Sequence, residues 1–167
     1  MHETADDLQR LQALLDRSYA GAGAHLSRIH TPERRVGAEQ LAARLQGMAL
    51  LVLATVTADG RPVLGPVDGI FLRGEFYFGS SPDSVRFRHI AKRPHVSATH
   101  VPGEEFAVTV HGRARTIDHK APESAELRRT LLEIYVPRYG TEWEEFLDGG
   151  PVYARIEADK MFTFQMS

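Results

Sequence analysis

The sequence contains no cysteine, and this absence removes a group of chemistries. Disulfide bonds, thiolate metal sites and thiol nucleophiles all need a cysteine sulfur. An excess of one charge is also lacking, because 20 lysines and arginines stand against 22 aspartates and glutamates in 167 residues. Such a balance gives no electrostatic footprint for nucleic acid or for an anionic membrane surface. We therefore expect neither as a partner.

Long apolar runs are absent as well. No stretch reaches the roughly 18 apolar residues that a membrane-spanning helix needs. The polar N-terminus MHETADDLQR lacks the apolar region of a signal peptide. We therefore predict a soluble, cytoplasmic protein, and a chain of this length is expected to form one domain around one core.

Eight histidines raise the question of a metal site, but their spacing does not favour one. His95 and His100 lie an odd number of positions apart on a predicted strand, so their side chains point to opposite faces. His111 on the next strand can join only one of them, and we predict no metal site. His100 or His111 stays open as a haem ligand, a role that one histidine can fill. No Gly-x-Ser-x-Gly motif marks a serine nucleophile.

The middle of the chain has the pattern of antiparallel strands. The β-branched run ALLVLATVT is followed by the hairpin-turn signal ADGR and by PVLGPVDGIFL. A tight turn at Arg73-Gly74 leads into EFYFG, and Pro102-Gly103 separates HVSATHV from FAVTVHGRARTID. VYARIEADKMFTF forms a last strand. The short connections between the first three of these strands favour a meander, and about six strands in all favour a small antiparallel barrel.

Helices are predicted around these strands. Leucines recur at helical spacing in Ala5–Ser18 and in Gly37–Gly47, and another helix is predicted from Pro122 to about Tyr135. Thr141-Glu-Trp-Glu144 has the spacing of a capping box for a short further helix. The predicted single domain consists of a helical N-terminal arm, a barrel core, a helical insertion and a closing strand, over residues 1–48, 49–118, 119–149 and 150–167.

The segment GSSPDSVRFRH, from Gly79 to His89, gathers hydroxyl groups and positive charge where a helix is predicted to begin. If Ser81 caps this helix, Pro82 takes its first position. The free N–H groups of the first turn then form a candidate phosphate site with the side chains of Ser80, Ser81, Ser84, and Arg86 or Arg88. Asp83 would repel a phosphate there. The alternative interpretation is an ordinary helix cap.

The order of these elements resembles the flavin-binding split-barrel superfamily of pyridoxamine 5'-phosphate oxidase. The resemblance covers about Leu50 to Ile117 and rests on ATVTADGRPVLGPV, EFYFGSSPDSVRFRHIAKRPHVS and VTVHGRA. It implies a mainly β (α+β) fold, a six-stranded antiparallel split β-barrel with peripheral helices. It also implies a homodimeric FMN-binding flavoprotein, an oxidoreductase that acts on an unidentified small molecule.

The resemblance also assigns residues to the cofactor. In the family, the strand that matches Gly65 to Asp68 runs along the flavin ring, mostly through backbone groups. The residues implied here are Pro66, Val67 and Asp68 for the ring, and Ser80, Ser81, Ser84 and Arg86 for the ribityl phosphate, with Arg88 as a second donor. An arginine suits this role because its planar guanidinium matches a phosphate at least as well as a lysine ammonium does.

Two departures from the family narrow the expected function. The C-terminal segment rich in arginine and histidine that holds the substrate of pyridoxamine 5'-phosphate oxidases has no counterpart here, so vitamin B6 oxidation is not expected. Asp68-Gly69 stands where many relatives carry an aromatic residue. The alternatives to an FMN-dependent enzyme are a deazaflavin-dependent reductase and a non-catalytic module that binds flavin or haem.

The choice of cofactor depends on the extent of the basic surface. Related barrels bind FMN, a deazaflavin coenzyme or haem. FMN is our first choice because the candidate anion site is compact. A deazaflavin with a longer anionic tail needs a more extended basic groove, for which Arg86, Arg88, Lys92 and Arg93 are the candidates.

Aromatic residues of the helical insertion have two interpretations. Trp143, Phe146 and Tyr135 either pack in the core beneath the C-terminal helices or cap the edge of a flavin bound by a partner subunit. We favour the core, because that is the commoner role of such residues.

Overall fold

Six strands close into a barrel in the computed structural model, which describes residues 2–166. They are β1 (Met48–Val56), β2 (Pro62–Leu72), β3 (Glu75–Ser80), β4 (His95–Gly103), β5 (Phe106–Ile117) and β6 (Val152–Gln165). The order around the barrel is β1-β2-β3-β6-β5-β4, every neighbouring pair is antiparallel, and β4 pairs back to β1. The predicted antiparallel barrel is confirmed.

The helices lie outside the strands. They are α1 (Ala5–Ala20), α2 (Ala24–Ile29), α3 (Ala38–Arg44), α4 (Val85–Lys92), α5 (Ala125–Tyr139) and α6 (Glu142–Asp148). Helix α2 is a finding that the sequence pattern did not predict, because it begins at Ala24, inside the glycine-rich YAGAGAH segment. Among the described residues, no helix combines the length and the apolar character needed to cross a membrane.

The predicted capping box before α6 does not form. In the described structure the Thr141 side chain makes no capping hydrogen bond. Glu144 instead turns toward α5 and pairs with Arg128, whose Nη2 lies 3.3 Å from Oε1 of Glu144, while Nη1 of Arg128 lies 2.8 Å from Oδ1 of Asp148. Two carboxylates thus fasten α6 to α5 through one guanidinium.

Two apolar clusters stabilise the fold. The larger fills the barrel with alternate side chains of the strands, such as Leu51 and Phe76, and is covered by leucines of α1 and α3. The smaller lies between α5, α6 and the outer face of β2 and β3, where Leu131 and Leu147 are fully buried. Burying a leucine side chain contributes about 1.5–3 kcal/mol. The helical insertion is therefore an integral part of the fold.

The N-terminal arm is fastened to the closing strand by Tyr19. Its hydroxyl donates to the carbonyl oxygen of Thr163 at 2.6 Å and accepts from the backbone N–H of Thr163 at 2.8 Å. The Thr163 hydroxyl in turn accepts from the backbone N–H of Val36 at 2.9 Å. These groups are buried, so each polar atom needs such a partner. Helix α1 and strand β6 are held together as a result.

Arg73 ties both helical regions to the barrel. It occupies the β2–β3 turn at a φ of 56°, a conformation that costs a residue with a side chain roughly 1 kcal/mol. Its Nη1 lies 3.0 Å from Asp7 of α1, and its Nη2 lies 2.8 Å from Glu126 of α5. Asp7 also completes a capping box with Thr4 at the start of α1. The hydrogen bonds to Glu126 and Asp7 raise the pKa of Arg73.

Candidate functional site

Helix α4 begins later than predicted, which corrects the assignment of its cap. The helix starts at Val85, and Ser84 is the capping residue, because its hydroxyl accepts from the backbone N–H of Phe87 at 3.4 Å. The prediction that Ser81 caps the helix with Pro82 in the first position is wrong. These residues form a turn closed by the Ser84 N–H and the Ser81 carbonyl at 3.0 Å. The fixed φ of proline suits such a turn as well as a helix start.

Arg86 lies where β2, β3 and α4 meet. Its Nη2 donates to the carbonyl oxygen of Pro66 at 2.9 Å, and its Nη1 lies 3.4 Å from the hydroxyl oxygen of Ser80. Both acceptors are neutral, and within residues 2–166 no carboxylate pairs with this guanidinium. Burial lowers the pKa of Arg86. A half-buried positive charge that meets only neutral acceptors is suited to an anion.

Helix α4 is held in place by contacts on both sides of Arg86. Phe87 and Ile90 are buried in the barrel core, and His89 shares a hydrogen bond of 2.9 Å with the hydroxyl of Thr55 on β1. At the end of the helix, Nε of Arg93 donates to the carbonyl oxygen of Val56 at 2.8 Å. These contacts fix the start of α4 and so the position of Arg86. The guanidinium of Arg93 is bonded to the barrel through the Val56 carbonyl.

The predicted site residues divide into two groups. A groove of about 220 Å³ lies between β1, β2 and the start of α4, and both Ser84 and Arg86 line it. Pro66 and Ser80 contact the guanidinium of Arg86. The side chain of Val67 is buried in the barrel, so only its backbone faces outward. Pro66 and Asp68 alternate with it and are exposed, as strand geometry requires.

Neither Ser81 nor Arg88 forms a side-chain hydrogen bond with Arg86 in the described structure. The Ser81 hydroxyl donates to Oδ1 of Asp83 at 2.7 Å, and this hydrogen bond lowers the pKa of Asp83. Arg88 is exposed, and its side chain makes no hydrogen bond or ion pair with any described residue. The Asp83 carboxylate thus has a local donor of its own. The role of Arg88 as a second phosphate donor stays a prediction.

A second, smaller pocket opens on the other side of Ser80. Its volume is about 150 Å³, and its walls come from β2, β3, the α5–α6 region and the start of β6. The described residues that line it are Asp68, Gly79, Ser80, Ser81, Tyr135, Trp143, Phe146, Pro151 and Tyr153. We call it the aromatic pocket. Gly79 is required there because a Cβ would lie 2.7 Å from the ring of Tyr153.

The aromatic residues of the insertion are only partly core. Tyr135 is buried, as expected for the core interpretation, whereas Trp143 is half-buried and Phe146 is 59% exposed. The rings of Tyr135 and Trp143 stack with centroids 4.6 Å apart and planes 14° apart. They reach the pocket of their own chain. The sequence offers no spacing signal for this, because 67 positions separate Asp68 from Tyr135.

Solved structures with the same fold include proteins with different bound groups. A conserved hypothetical protein from Mycobacterium tuberculosis is similar at 22% identity and a TM-score of 0.66, over 80% of this chain and 88% of that one. An FAD-binding protein from Mesorhizobium loti matches at 18% and 0.59, over 80% and 96%. The haem storage protein HutZ from Vibrio cholerae matches at 18% and 0.60, over 76% and 91%. These similarities show the fold.

The family is shown by sequence. The family model of pyridoxamine 5'-phosphate oxidase matches residues 38–162, which include every strand of the barrel except the end of β6. The chain therefore belongs to the pyridoxamine 5'-phosphate oxidase family, which confirms the resemblance noted above. Comparison with curated proteins gives no significant match.

Proposed function

We propose that the protein binds FMN in the groove beside Arg86 and acts as an oxidoreductase on a small molecule. The observation that carries this proposal is the Arg86 guanidinium, held between the Ser80 hydroxyl and the Pro66 carbonyl without a partnering carboxylate in the described structure. A phosphate monoester would supply the missing negative charge. Membership of the family supports a flavin as the molecule that carries it.

The residues present fit FMN in two respects. Arg86, Ser80 and the capped start of α4 supply donors for a terminal phosphate, since the first N–H groups of a helix face outward. Beside them, Gly65 and the exposed side of Pro66 leave the β2 backbone open to a planar ring. When bound, the isoalloxazine supplies the redox chemistry, while the chain binds and orients it.

FMN is favoured over a deazaflavin with a long anionic tail. Of the four basic residues that would form an extended groove, Arg93 is bonded to the carbonyl of Val56. Lys92 and Arg88 are exposed on α4. Arg86 is the half-buried basic residue that lines the groove, whereas Arg93 is held at the other end of α4, and a single charge of this kind matches one compact phosphate.

A homodimer belongs to the same proposal. Leu50, Leu64 and Val85 are 50%, 67% and 48% exposed. Leu50 and Leu64 lie on the outer face of β1 and β2, because their antiparallel partners are Asp68 and Ala54, which share that face. An apolar surface beside the groove suits a second copy of the chain, which would cover the cofactor and these side chains together.

A haem- or flavin-binding module without turnover is the second candidate. His111 is exposed, and its Nδ1 shares a hydrogen bond of 2.8 Å with the Ser97 hydroxyl. Its Nε2 is therefore the atom oriented toward a ligand, as in many haem-binding histidines. The haem storage protein with the same fold supports keeping this candidate.

The test is an absorption spectrum of the purified protein, mass spectrometry of the small molecule released by heat, and light scattering for the mass in solution. We expect flavin bands, the mass of FMN and a dimer. An intense Soret band would favour the haem module. A colourless protein that does not bind added FMN would contradict the proposal, and a monomer that binds FMN would remove its dimer part.

A further inference from the structure

A cleft of about 550 Å³ lies between α1, the β2–β3 turn and the strands β3 and β6. We call it the α1 cleft. Among the described residues, it shares no lining residue with the groove beside Arg86 or with the aromatic pocket. Helix α1 also precedes residues 38–162, which the family model matches. Neither the proposed flavin nor membership of the family therefore accounts for this cleft.

Arginines dominate the lining of the α1 cleft. Two come from α1, one from the β2–β3 turn and one from β6: Arg10, Arg17, Arg73 and Arg155. Two carboxylates, Asp7 and Glu75, share the lining with them. Asp7 is used twice, since it pairs with both Arg10 and Arg73. Burial raises the pKa of Glu75, which favours its uncharged form. The cleft therefore attracts anions.

Arg17 is the arginine of the cleft whose charge the chain leaves unmatched. Its side chain is exposed and makes no hydrogen bond or ion pair with any described residue. By contrast, Arg73 and Arg155 also pair with carboxylates outside the cleft, those of Glu126 and Glu157. A carboxylate of a ligand would supply the partner that Arg17 lacks in the described structure.

The barrel side of the cleft offers a neutral donor beside a second group of charges. Burial and the nearby charge of Glu75 raise the pKa of Tyr77 to about 12, so its hydroxyl keeps the proton that it can donate to an anion. Tyr77 is the register partner of Arg155. Glu75 lies 3.8 Å from Arg155, and the charge of Arg10 acts on it as well. These groups therefore lie together at one end of the cleft.

The spacing along α1 separates two positive groups by an apolar surface. Arg10 and Arg17 lie seven residues apart in this helix, close to two turns, so both project from one side, about 10 Å apart along the axis. Leu11 and Leu14 line the cleft between them, and Ala158 adds an apolar group from β6. Positive groups at two ends of an apolar surface match a linear ligand with an anionic group at each end.

We propose that the α1 cleft binds a linear dicarboxylate whose two carboxylates are joined by an apolar chain. One carboxylate pairs with Arg17. The other lies at the opposite end of the cleft, where Arg10, Arg155 and the Tyr77 hydroxyl donate to it. The leucines of α1 contact the chain between the two carboxylates. This site is separate from the proposed flavin site, and the inference does not rest on the proposed function.

Isothermal titration calorimetry of the full-length protein tests the inference. The ligand is suberate, a linear dicarboxylate with a methylene chain. Octanoate has the same number of carbons and one carboxylate, succinate has a chain too short to span the cleft, and inorganic phosphate is a compact anion. We expect suberate to bind with one site per chain, and each of the other three to bind at least about tenfold more weakly. No binding of suberate, or equal binding of octanoate or phosphate, would overturn the inference.

Arg17→Gln removes the partner of one carboxylate. It should weaken suberate binding by about tenfold or more and reduce the preference for suberate over octanoate. Arg28→Gln is the matched control, because Arg28 is also an exposed arginine in the last turn of a helix and does not line the cleft. It should leave the affinity within about twofold. Equal losses in both variants would mean that suberate responds only to net charge, and would overturn the site.

Tyr77→Phe tests the other end of the cleft while it keeps the aromatic ring in place. Loss of the hydroxyl should weaken suberate binding by about fivefold, because one hydrogen bond to a charged group is lost. An unchanged affinity would overturn the role assigned to Tyr77. Near-ultraviolet circular dichroism shows whether each variant is folded.

FMN binding is measured on the same samples by flavin fluorescence. A protein that binds suberate but not FMN loses the proposed function and keeps this inference. A protein that binds FMN but not suberate retains the proposed function and loses this inference. The two results are therefore independent.

Discussion

Two arginines of the barrel show how the same side chain serves stability in one place and a ligand in another. Arg73 donates to the carboxylates of Asp7 and Glu126, which come from the two helical regions of the fold. Arg86 donates to one backbone carbonyl and one hydroxyl. The positive charge of Arg73 is balanced by two carboxylates of the chain, whereas the charge of Arg86 meets no carboxylate among the described residues. We infer that an arginine without a carboxylate partner is the better marker of a binding site.

Replacing Arg86 tests its assigned role in ligand binding and has the largest expected effect. Arg86→Ala should weaken FMN binding by about 1.5–3 kcal/mol, which is roughly tenfold to a hundredfold in Kd, because a charge-assisted hydrogen bond is lost. The free energy of unfolding should change little. Flavin fluorescence during titration gives the Kd, and urea denaturation gives the stability.

Arg61→Ala is the matched control for Arg86→Ala. It removes the same charge from the β1–β2 turn, where Arg61 is exposed and pairs with Asp59 at 2.8 Å. Its effect on FMN affinity should be small, since exposed charges are screened by salt. Equal losses in both variants would mean that net charge matters and that Arg86 does not contact the phosphate.

Replacing Asp7 should lower stability and leave FMN binding unchanged, which is the opposite of what we expect for Arg86. Asp7→Asn should lower the free energy of unfolding by about 1–2 kcal/mol near neutral pH, because hydrogen bonds to a charged group are weakened. FMN affinity should remain as in the wild type. A loss of FMN binding with intact stability would contradict the division of roles between Arg73 and Arg86.

The pH dependence of the Asp7 effect has a definite sign. Burial alone would raise the pKa of Asp7, but hydrogen bonds from Thr4 and Arg73 outweigh it and lower the pKa below its ordinary value. A carboxylate with a lowered pKa contributes stability above its unfolded pKa, about 4, and loses it as the pH falls through the lowered value. The difference between wild type and Asp7→Asn should therefore shrink toward pH 3.

Glu75 tests whether a partly buried ion pair stabilises the fold, and its replacement has the smallest expected effect on the free energy of unfolding. Burial raises the pKa of this carboxyl, against the opposing charge of Arg155 3.8 Å away. Its contribution to stability is present below the unfolded pKa and is lost as the pH rises through the raised value. Glu75→Gln should thus equal or exceed the wild-type stability at pH 7, by less than about 1 kcal/mol. A clear loss at pH 7 would show that the pair with Arg155 is net stabilising.

Local patterns predicted the barrel well, because its strands are bounded by turn residues. PVLGPVDGIFL matches β2 over Pro62–Leu72 at both ends, since Asp-Gly precedes it and Arg-Gly follows. The start of α4 was wrong by three residues, because the helix begins at Val85 and not at Pro82. Proline fits a turn and a helix start equally, and sequence alone cannot choose between them.

Long-range contacts explain what the sequence could not predict. Arg73 meets Asp7 across 66 positions and Glu126 across 53. The predicted phosphate ligands are close in sequence, and the structure does bring Ser80 and Arg86 together. The contact of Arg86 with Pro66, across 20 positions, and the gathering of Asp68 and Trp143 in one pocket depend on how the barrel closes. Only tertiary structure supplies that information.

The hydrogen bonds of the buried Tyr19 hydroxyl can form only late during translation of the chain. Its partner Thr163 follows 144 residues later, so the ribosome adds the closing strand about 7–30 s after the arm, at roughly 5–20 residues per second. During that interval the leucine face of α1 has no β6 to cover it. The arm therefore leaves the ribosome early, and the side of α1 that packs on β6 stays uncovered until β6 has been made.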